Sequence, residues 1–180
     1  GVSVVVATVL VIFLTITAVV LVINFIVPWV KDTLYGGSSC VPYSNRVKYF
    51  FFDETFGYNC FNQIGVLNQP GSHRLYKFSV GAKPLTKEKE NEISGFILGL
   101  VEESQSTSLT VKENMPANST EGNIRMLDSS ILQIEIPKGG EVRTYVYNTT
   151  KNLTRIEIHP KLMSGDICDT TDSIKVTTVC

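Results

Sequence analysis

The first thirty residues of the chain contain no charged side chain, and all 16 basic and 17 acidic residues lie from residue 31 onward. Apolar side chains fall on every face of this stretch, which excludes an amphipathic surface helix. A thirty-residue helix would be about 45 Å long, against about 30 Å for the hydrocarbon core of a bilayer. The sequence therefore predicts a hydrophobic helix over residues 1–34, buried in lipid or among other helices.

The apolar run also lacks an initiator Met and a basic flank in front of Gly1. A secretory signal loses its apolar region on cleavage, whereas a signal anchor keeps a basic flank. We therefore expect a mature chain that was cut in front of the apolar run. A simple single-span anchor that holds an outside domain is the alternative interpretation of the segment.

The end of the helix is marked by a proline and by the first charges. Pro28 has no N–H to donate and its ring crowds the carbonyl of Asn24, so we expect a bend over residues 24–28. Trp29 and the charges at residues 31–32 match the aromatic belt and first charges at a membrane edge. Residues 35–39 (YGGSS) read as a hinge, which leaves a head domain over residues 40–180.

The head lacks the patterns that carry common catalytic chemistry. It has two histidines, His73 and His159, but no G-x-S-x-G turn and no Gly-rich phosphate loop. The acidic neighbours Asp53 and Glu54 would point to opposite faces of an extended chain. A net charge of −1 provides no basic surface for nucleic acid. We therefore expect a protein that is not an enzyme, uses no cofactor or metal and binds no nucleic acid.

Alternation of apolar and polar residues predicts seven or eight short antiparallel strands, arranged as a β-sandwich. Residues 88–101 also fit one or two helical turns, but two glycines favour a strand there. The fold class is therefore α+β, with a long apolar helix followed by the sandwich. The candidate strands are residues 47–52, 75–80, 93–101, 108–112, 131–136, 142–147, 154–159 and 174–179.

Four cysteines, Cys40, Cys60, Cys168 and Cys180, all lie in the head. An even number in an extracytoplasmic domain indicates two disulfides, for which three pairings exist. The chain has no C-x-x-C pair, which argues against a zinc site. We expect the pairs Cys40–Cys60 and Cys168–Cys180, because the two cysteines of each pair are close in the chain.

Three N-x-S/T sequons begin at Asn118, Asn148 and Asn152. Each lies in a stretch whose composition is typical of exposed turns. Asparagine in this motif is the acceptor for N-linked carbohydrate in exported proteins. The sequence therefore predicts glycosylation at these three positions.

The chain resembles the archaeal type IV pilins. The resemblance is carried by Gly1-Val2-Ser3, by the Val-rich run at residues 4–12, and by a β-rich head with cysteines and sequons. Val5 stands where bacterial type IV pilins usually carry Glu, and the Gly-rich opening of archaellins is absent. The resemblance implies a membrane precursor that a prepilin peptidase cuts and that a membrane assembly machinery packs with its own copies into an extracellular filament.

The resemblance also implies a structural role for each part of the chain. The N-terminal helices would bundle into the filament core, the heads would form the outer surface, and the filament would serve adhesion. The membrane would hold the chain only before assembly. The alternatives are a subunit of an archaellum-type motility filament and a single-span ectodomain that binds a protein partner. The side chains expected in the assembly core are Val6, Val9, Phe13, Leu14, Ile16, Val20, Ile23 and Phe25.

Overall fold

A computed structural model describes residues 2–26, 39–44, 47–119 and 122–180 of the chain. The chain divides into two compact units, Gly1–Ser39 and Cys40–Cys180. The predicted bend at Pro28, the membrane exit at residues 29–32 and residues 35–38 of the hinge lie outside the described residues. The first unit holds helix α1, Val2–Leu21, which continues as a π-helix over Val22–Ile26.

The second unit consists mainly of short strands. A 3₁₀ turn, Val41–Tyr43, precedes the first strand, and a five-residue helix, α2 (Lys87–Asn91), precedes the fourth. The strands among the described residues are β1 (Phe50–Phe52), β2 (Cys60–Ile64), β3 (His73–Ala82), β4 (Ile93–Val101), β5 (Ser106–Lys112), β6 (Ile124–Met126), β7 (Val142–Thr149), β8 (Arg155–Leu162) and β9 (Asp172–Lys175).

These strands form two antiparallel sheets. The first sheet has the order β1-β3-β7-β6, and β2 also pairs with β3. β1 and β2 share one side of β3, since β1 lies opposite residues 80–82 and β2 opposite residues 73–77. The second sheet has the order β5-β4-β8-β9. The predicted combination of an apolar helix with antiparallel sheets is thereby confirmed.

Aromatic rings from both sheets meet in one hydrophobic core. The ring centroid of Phe96, on β4, lies 5.2 Å from that of Phe50 on β1 and 5.7 Å from that of Tyr145 on β7. All three side chains are fully buried. The Tyr145 hydroxyl donates to the Glu135 carbonyl at 2.7 Å, so the polar end of this buried ring is satisfied.

Most of the predicted strands are present, but residues 131–136 do not form one. They bond to residues 114–117 through a single isolated bridge, in which Gln133 lies opposite Pro116. Beyond this bridge the Asn114 amide, rather than the Met115 amide, donates to the Ile134 carbonyl. Asn114 has a φ of 59°, so the partner segment turns there and a regular ladder does not continue. The apolar alternation is real, since Ile134 and Ile136 are buried, yet Leu132 is 78% exposed. The predicted strands at 47–52 and 174–179 are shorter than expected, and β2, β6 and α2 were not predicted.

Candidate assembly surface

The three threonines of helix α1 bond their hydroxyl groups to carbonyls of the helix itself. The Thr8 hydroxyl donates to the Val5 carbonyl at 2.8 Å, and Thr15 and Thr17 donate at 2.8 Å to carbonyls three and four residues earlier. Valine-rich sequence is a poor helix former in water, but an apolar medium forces backbone polar groups to pair within the segment. These threonines therefore need no polar partner outside the helix.

The apolar side chains of this helix are exposed along its described length. The stretch Ser3–Asn24 is long and apolar enough to cross a membrane, and 18 consecutive residues within it have a mean hydropathy of 3.0. The Phe25 side chain lies outside the part of the chain that the structure describes. The other residues predicted for the assembly core are about half to three-quarters exposed: Val6 (51%), Val9 (58%), Phe13 (72%), Leu14 (67%), Ile16 (58%), Val20 (48%) and Ile23 (57%).

The region of the expected bend changes its helical geometry. The chain is π-helical over Val22–Ile26, and this segment includes Asn24, whose side chain is exposed. Such π segments mark places where the regular hydrogen-bond ladder is interrupted. The role of Pro28 in a bend stays a prediction.

The four cysteines form two disulfides, but the predicted pairing is wrong. Cys40 bonds to Cys168 and Cys60 bonds to Cys180, over sequence separations of 128 and 120 residues. The cysteines that are close in the chain belong to different elements of the fold. Cys40 precedes the 3₁₀ turn, whereas Cys60 begins β2. The two bonds are interleaved. Each one ties the start of the head to its end.

The C-terminal segment contacts both sheets. Its first part is β9, which pairs with β8 in the second sheet. Its last part lies along β2 of the first sheet, where the Phe61 amide donates to the Thr178 carbonyl and the Cys180 amide donates to the Phe61 carbonyl, both at 2.9 Å. The Cys60–Cys180 disulfide therefore fixes this segment where it covers the edge of β2.

Hydrogen bonds of Tyr43 hold the start of the head in place, in addition to the disulfides. The Tyr43 hydroxyl lies 2.6 Å from the Lys89 carbonyl oxygen and 2.9 Å from the Glu92 carboxylate. Burial raises the pKa of Tyr43 above its usual range, and the Glu92 carboxylate adds to the increase. Hydrogen bonds from Lys89 and Tyr43 lower the pKa of Glu92. These contacts hold the residues after Cys40 against α2.

The three sequons lie in different environments. Asn118 is exposed in a turn with a φ of 54°, as predicted. Asn152 is also exposed, and its side-chain oxygen accepts a hydrogen bond from the Arg74 guanidinium. The predicted turn is wrong for Asn148, which is half-buried in β7. The turn signal failed there because Asn and Thr are tolerated on the outer face of a strand.

The polar residues considered for chemistry lie apart. His73 begins β3, with its Nδ1 atom 3.0 Å from the Gly71 carbonyl oxygen, while His159 lies in β8 with its Nδ1 atom 3.3 Å from the Cys168 carbonyl oxygen. Asp53 accepts a hydrogen bond from the Thr55 amide at 2.8 Å. Among the described residues, no three His, Cys, Asp or Glu side chains are grouped so as to hold a metal ion.

Comparison with known proteins assigns no family to the chain. No protein-family model matches it, and no curated protein matches it. The features that bear on function are those of the chain itself: an uncovered apolar helix and a head closed by two disulfides. A helix able to cross a membrane and disulfides, which persist in oxidising environments, are features of membrane-bound or exported proteins.

Proposed function

We propose that the chain is a structural subunit of an extracellular helical filament of the type IV pilus kind. In this filament the N-terminal helices of many copies pack into the core, and the heads form an outer surface used for attachment. The observation that carries the proposal is the exposure of α1, whose apolar side chains lie uncovered on every side. A helix of this kind needs lipid or other helices around it.

Burial of these side chains would drive assembly strongly. Each buried CH₂ group contributes about 0.8 kcal/mol, so a helix of this composition gains tens of kcal/mol when neighbours cover it. Outside a membrane, helices of other copies are a surface that can provide this cover. The internally bonded threonines permit such packing, because their hydroxyls leave no unpaired donor.

The head suits the outer surface of such a filament. We infer a β-sandwich, since the two sheets share a core in which Phe96 contacts both Phe50 and Tyr145. Disulfides across 128 and 120 residues would keep this core closed in an oxidising environment, where a subunit is not replaced once assembled. Carbohydrate at the exposed Asn118 and Asn152 would face solvent.

A charge placed in α1 tests the proposal. Leu14→Lys would put an unpaired charge among packed helices and cost several kcal/mol, whereas Leu14→Ile keeps the apolar volume and is the matched control. In negative-stain microscopy of the producing cells, we expect filaments from the wild type and from Leu14→Ile, and none from Leu14→Lys. Normal filaments from Leu14→Lys would contradict the proposal. Cells without filaments should also lose attachment to surfaces.

A single-span ectodomain is the second candidate. It is favoured by the length of the apolar stretch, because the 22 residues of Ser3–Asn24 give a helix of about 33 Å, close to one bilayer. In that case the wild-type chain would stay in the membrane fraction as single copies. Fractionation of sheared cells separates the two candidates, since filaments are released by shear and a bitopic protein is not.

A further inference from the structure

Three of the four outer edges of the two sheets are covered in the described part of the chain. The edge of β2 is covered by the C-terminal segment, through the bonds of Phe61 described above. The edges of β1 and β9 face each other, where the Phe52 amide donates to the Asp172 carboxylate at 2.9 Å and the Thr171 hydroxyl donates to the Phe50 carbonyl at 2.8 Å. β6 has three residues, and its Ile124 carbonyl accepts the Asn118 amide at 2.8 Å.

The fourth edge, that of β5, has no partner strand among the described residues. Across the β4–β5 hairpin, the Glu102 amide donates to the Gln105 carbonyl. Hydrogen-bonded and non-bonded pairs alternate along an antiparallel ladder, so the N–H and C=O groups of alternate residues point away from β4. The residues whose backbone groups face outward are Ser106, Ser108, Thr110 and Lys112, of which the Lys112 carbonyl already accepts the Met115 amide at 3.3 Å.

β5 also lacks the features that protect natural edge strands. Edge strands usually carry charges, prolines or bulges, or are very short. β5 has seven residues, STSLTVK, with no proline, one charge at its end and an uninterrupted register against β4. Ser106 and Ser108 are exposed, while Leu109 and Val111 are buried in the core. This edge is therefore a ready template for another extended strand.

We propose that β5 of one copy pairs antiparallel with β5 of a second copy, centred on Leu109. This register sets each of the seven residues opposite a residue of the second copy and leaves the N–H and C=O groups of Ser108 and Thr110 free to bond across the junction. It places Ser108 opposite Thr110 of the second copy, hydroxyl against hydroxyl. Lys112 lies opposite Ser106 of the second copy, so no like charges meet. The row of buried side chains continues across the junction, where Leu109 lies opposite Leu109 of the second copy. The contact is two-fold symmetric and joins the two second sheets into one sheet of eight strands.

Where this strand contact would occur in the assembled protein rests on the proposed function. In the proposed filament a single screw operation relates each subunit to the next, so all subunits point the same way and a two-fold contact cannot join neighbours within it. It joins heads that belong to two filaments of opposite direction. The pairing therefore predicts filaments that associate side by side into antiparallel bundles.

Cross-linking of the full chain in detergent micelles tests the strand contact without requiring filaments. Directly opposite Cβ atoms in an antiparallel pair are about 4.5–5.5 Å apart, whereas diagonal ones are about 7–8 Å apart. With a short bifunctional thiol reagent, a mixture of Ser108→Cys and Thr110→Cys chains should give about fivefold more dimer than either chain alone. Ser173→Cys mixed with Lys175→Cys is the matched control, because both residues are exposed and have the same spacing on β9.

Equal dimer yields in the mixture and in the β9 control would overturn the contact. A yield from Ser108→Cys alone that equals the mixture would overturn its register. Peptide mapping of Cys40–Cys168 and Cys60–Cys180 in each variant checks that the fold is kept.

Charge variants test the contact in filaments. Ser108→Lys with Thr110→Lys sets like charges against each other in this register, whereas Ser108→Lys with Thr110→Glu sets opposite charges together. Under the microscope we expect the first variant to give separate filaments and the second to give bundles like those of the wild type. Bundles from the Lys/Lys variant, or wild-type filaments that stay single, would overturn the proposal. A cross-link in micelles from a chain that forms no filaments would instead refute the proposed function and keep the strand contact.

Discussion

The carboxylate of Asp172 accepts a hydrogen bond of 2.9 Å from the backbone amide of Phe52, 120 residues earlier in the chain. Asp172 begins β9 of the second sheet, and Phe52 ends β1 of the first. One side chain thus satisfies a backbone donor at the edge of the other sheet. The ammonium of Lys48 lies 4.0 Å from the same carboxylate. This contact joins the two sheets along the side that the C-terminal segment closes.

Removing this carboxylate should destabilise the head. Asp172→Ala would leave the Phe52 amide, which is partly buried, without its acceptor, at a cost of about 1–3 kcal/mol. Asp172→Asn keeps an acceptor oxygen at the same place and should lose less than half of that amount. The free energy of unfolding in urea measures both variants. Equal stability of Asp172→Ala and the wild type would show that the bond contributes nothing.

The disulfides should stabilise the head through a closed ring. Residues 40–60 and 168–180, 21 and 13 residues, form a covalent ring of 34 residues through the two bonds. In the chain-entropy model, closing such a ring contributes about 4 kcal/mol, and closing a loop of about 128 residues contributes about 5 kcal/mol. Replacing either pair by alanine should therefore cost about 4 kcal/mol, because the other bond already shortens the loop.

Denaturant unfolding of Cys40→Ala/Cys168→Ala and of Cys60→Ala/Cys180→Ala measures these costs, and each variant is the control for the other. Non-reducing peptide mapping of the wild type should find the two interleaved bonds. Recovery of Cys40 linked to Cys60 would contradict the fold of the C-terminal segment described above.

Stability should fall at alkaline pH because of buried tyrosines. Burial raises the pKa of Tyr49, and Tyr43 and Tyr145 are shifted in the same direction. Above pH 10 the unfolded chain releases these protons while the folded chain keeps them, so the stabilisation is complete below about pH 10 and is lost as pH rises further. Each such group contributes a slope of up to about 1.4 kcal/mol per pH unit.

Tyr49→Phe should reduce this alkaline slope and leave stability near pH 7 almost unchanged. Urea unfolding at several values between pH 8 and pH 11 gives the slope. Tyr58→Phe is a suitable control, because Tyr58 is not among the buried core residues. An identical slope for Tyr49→Phe and the wild type would show that Tyr49 ionises equally in both states.

Carbohydrate should be found on Asn118 and Asn152 rather than on Asn148. The first two side chains are exposed. Asn148 is half-buried in β7, where its backbone amide donates to the Asn123 carbonyl at 2.8 Å. Mass spectrometry of glycopeptides from the exported protein gives the occupancy of each site. High occupancy at Asn148 alone would contradict this order.

The sequence predicted those elements whose signal is local. Strand β4 over residues 93–101 has the predicted bounds, and the apolar helix follows from composition alone. A strand was wrongly predicted at residues 131–136 because their alternation reflects two buried isoleucines. The turn at Asn114 that ends their pairing lies in a partner segment that no local pattern identifies. The disulfide pairing failed for a related reason, since Cys180 meets Cys60 only after the C-terminal segment has crossed to the first sheet. Short strand β2 carries too weak an alternation to be recognised.

The interleaved disulfides also decide what happens when the head is cut by a protease. A break at any single peptide bond between Cys40 and Cys180 leaves two fragments that are still joined by at least one of the two bonds, because every such cut separates Cys40 from Cys168 or Cys60 from Cys180. The loops between the strands, where nicking concentrates, all lie within this interval. A protein outside the cell, beyond the reach of resynthesis, would thus keep its whole surface after one cleavage and lose a piece only after a second.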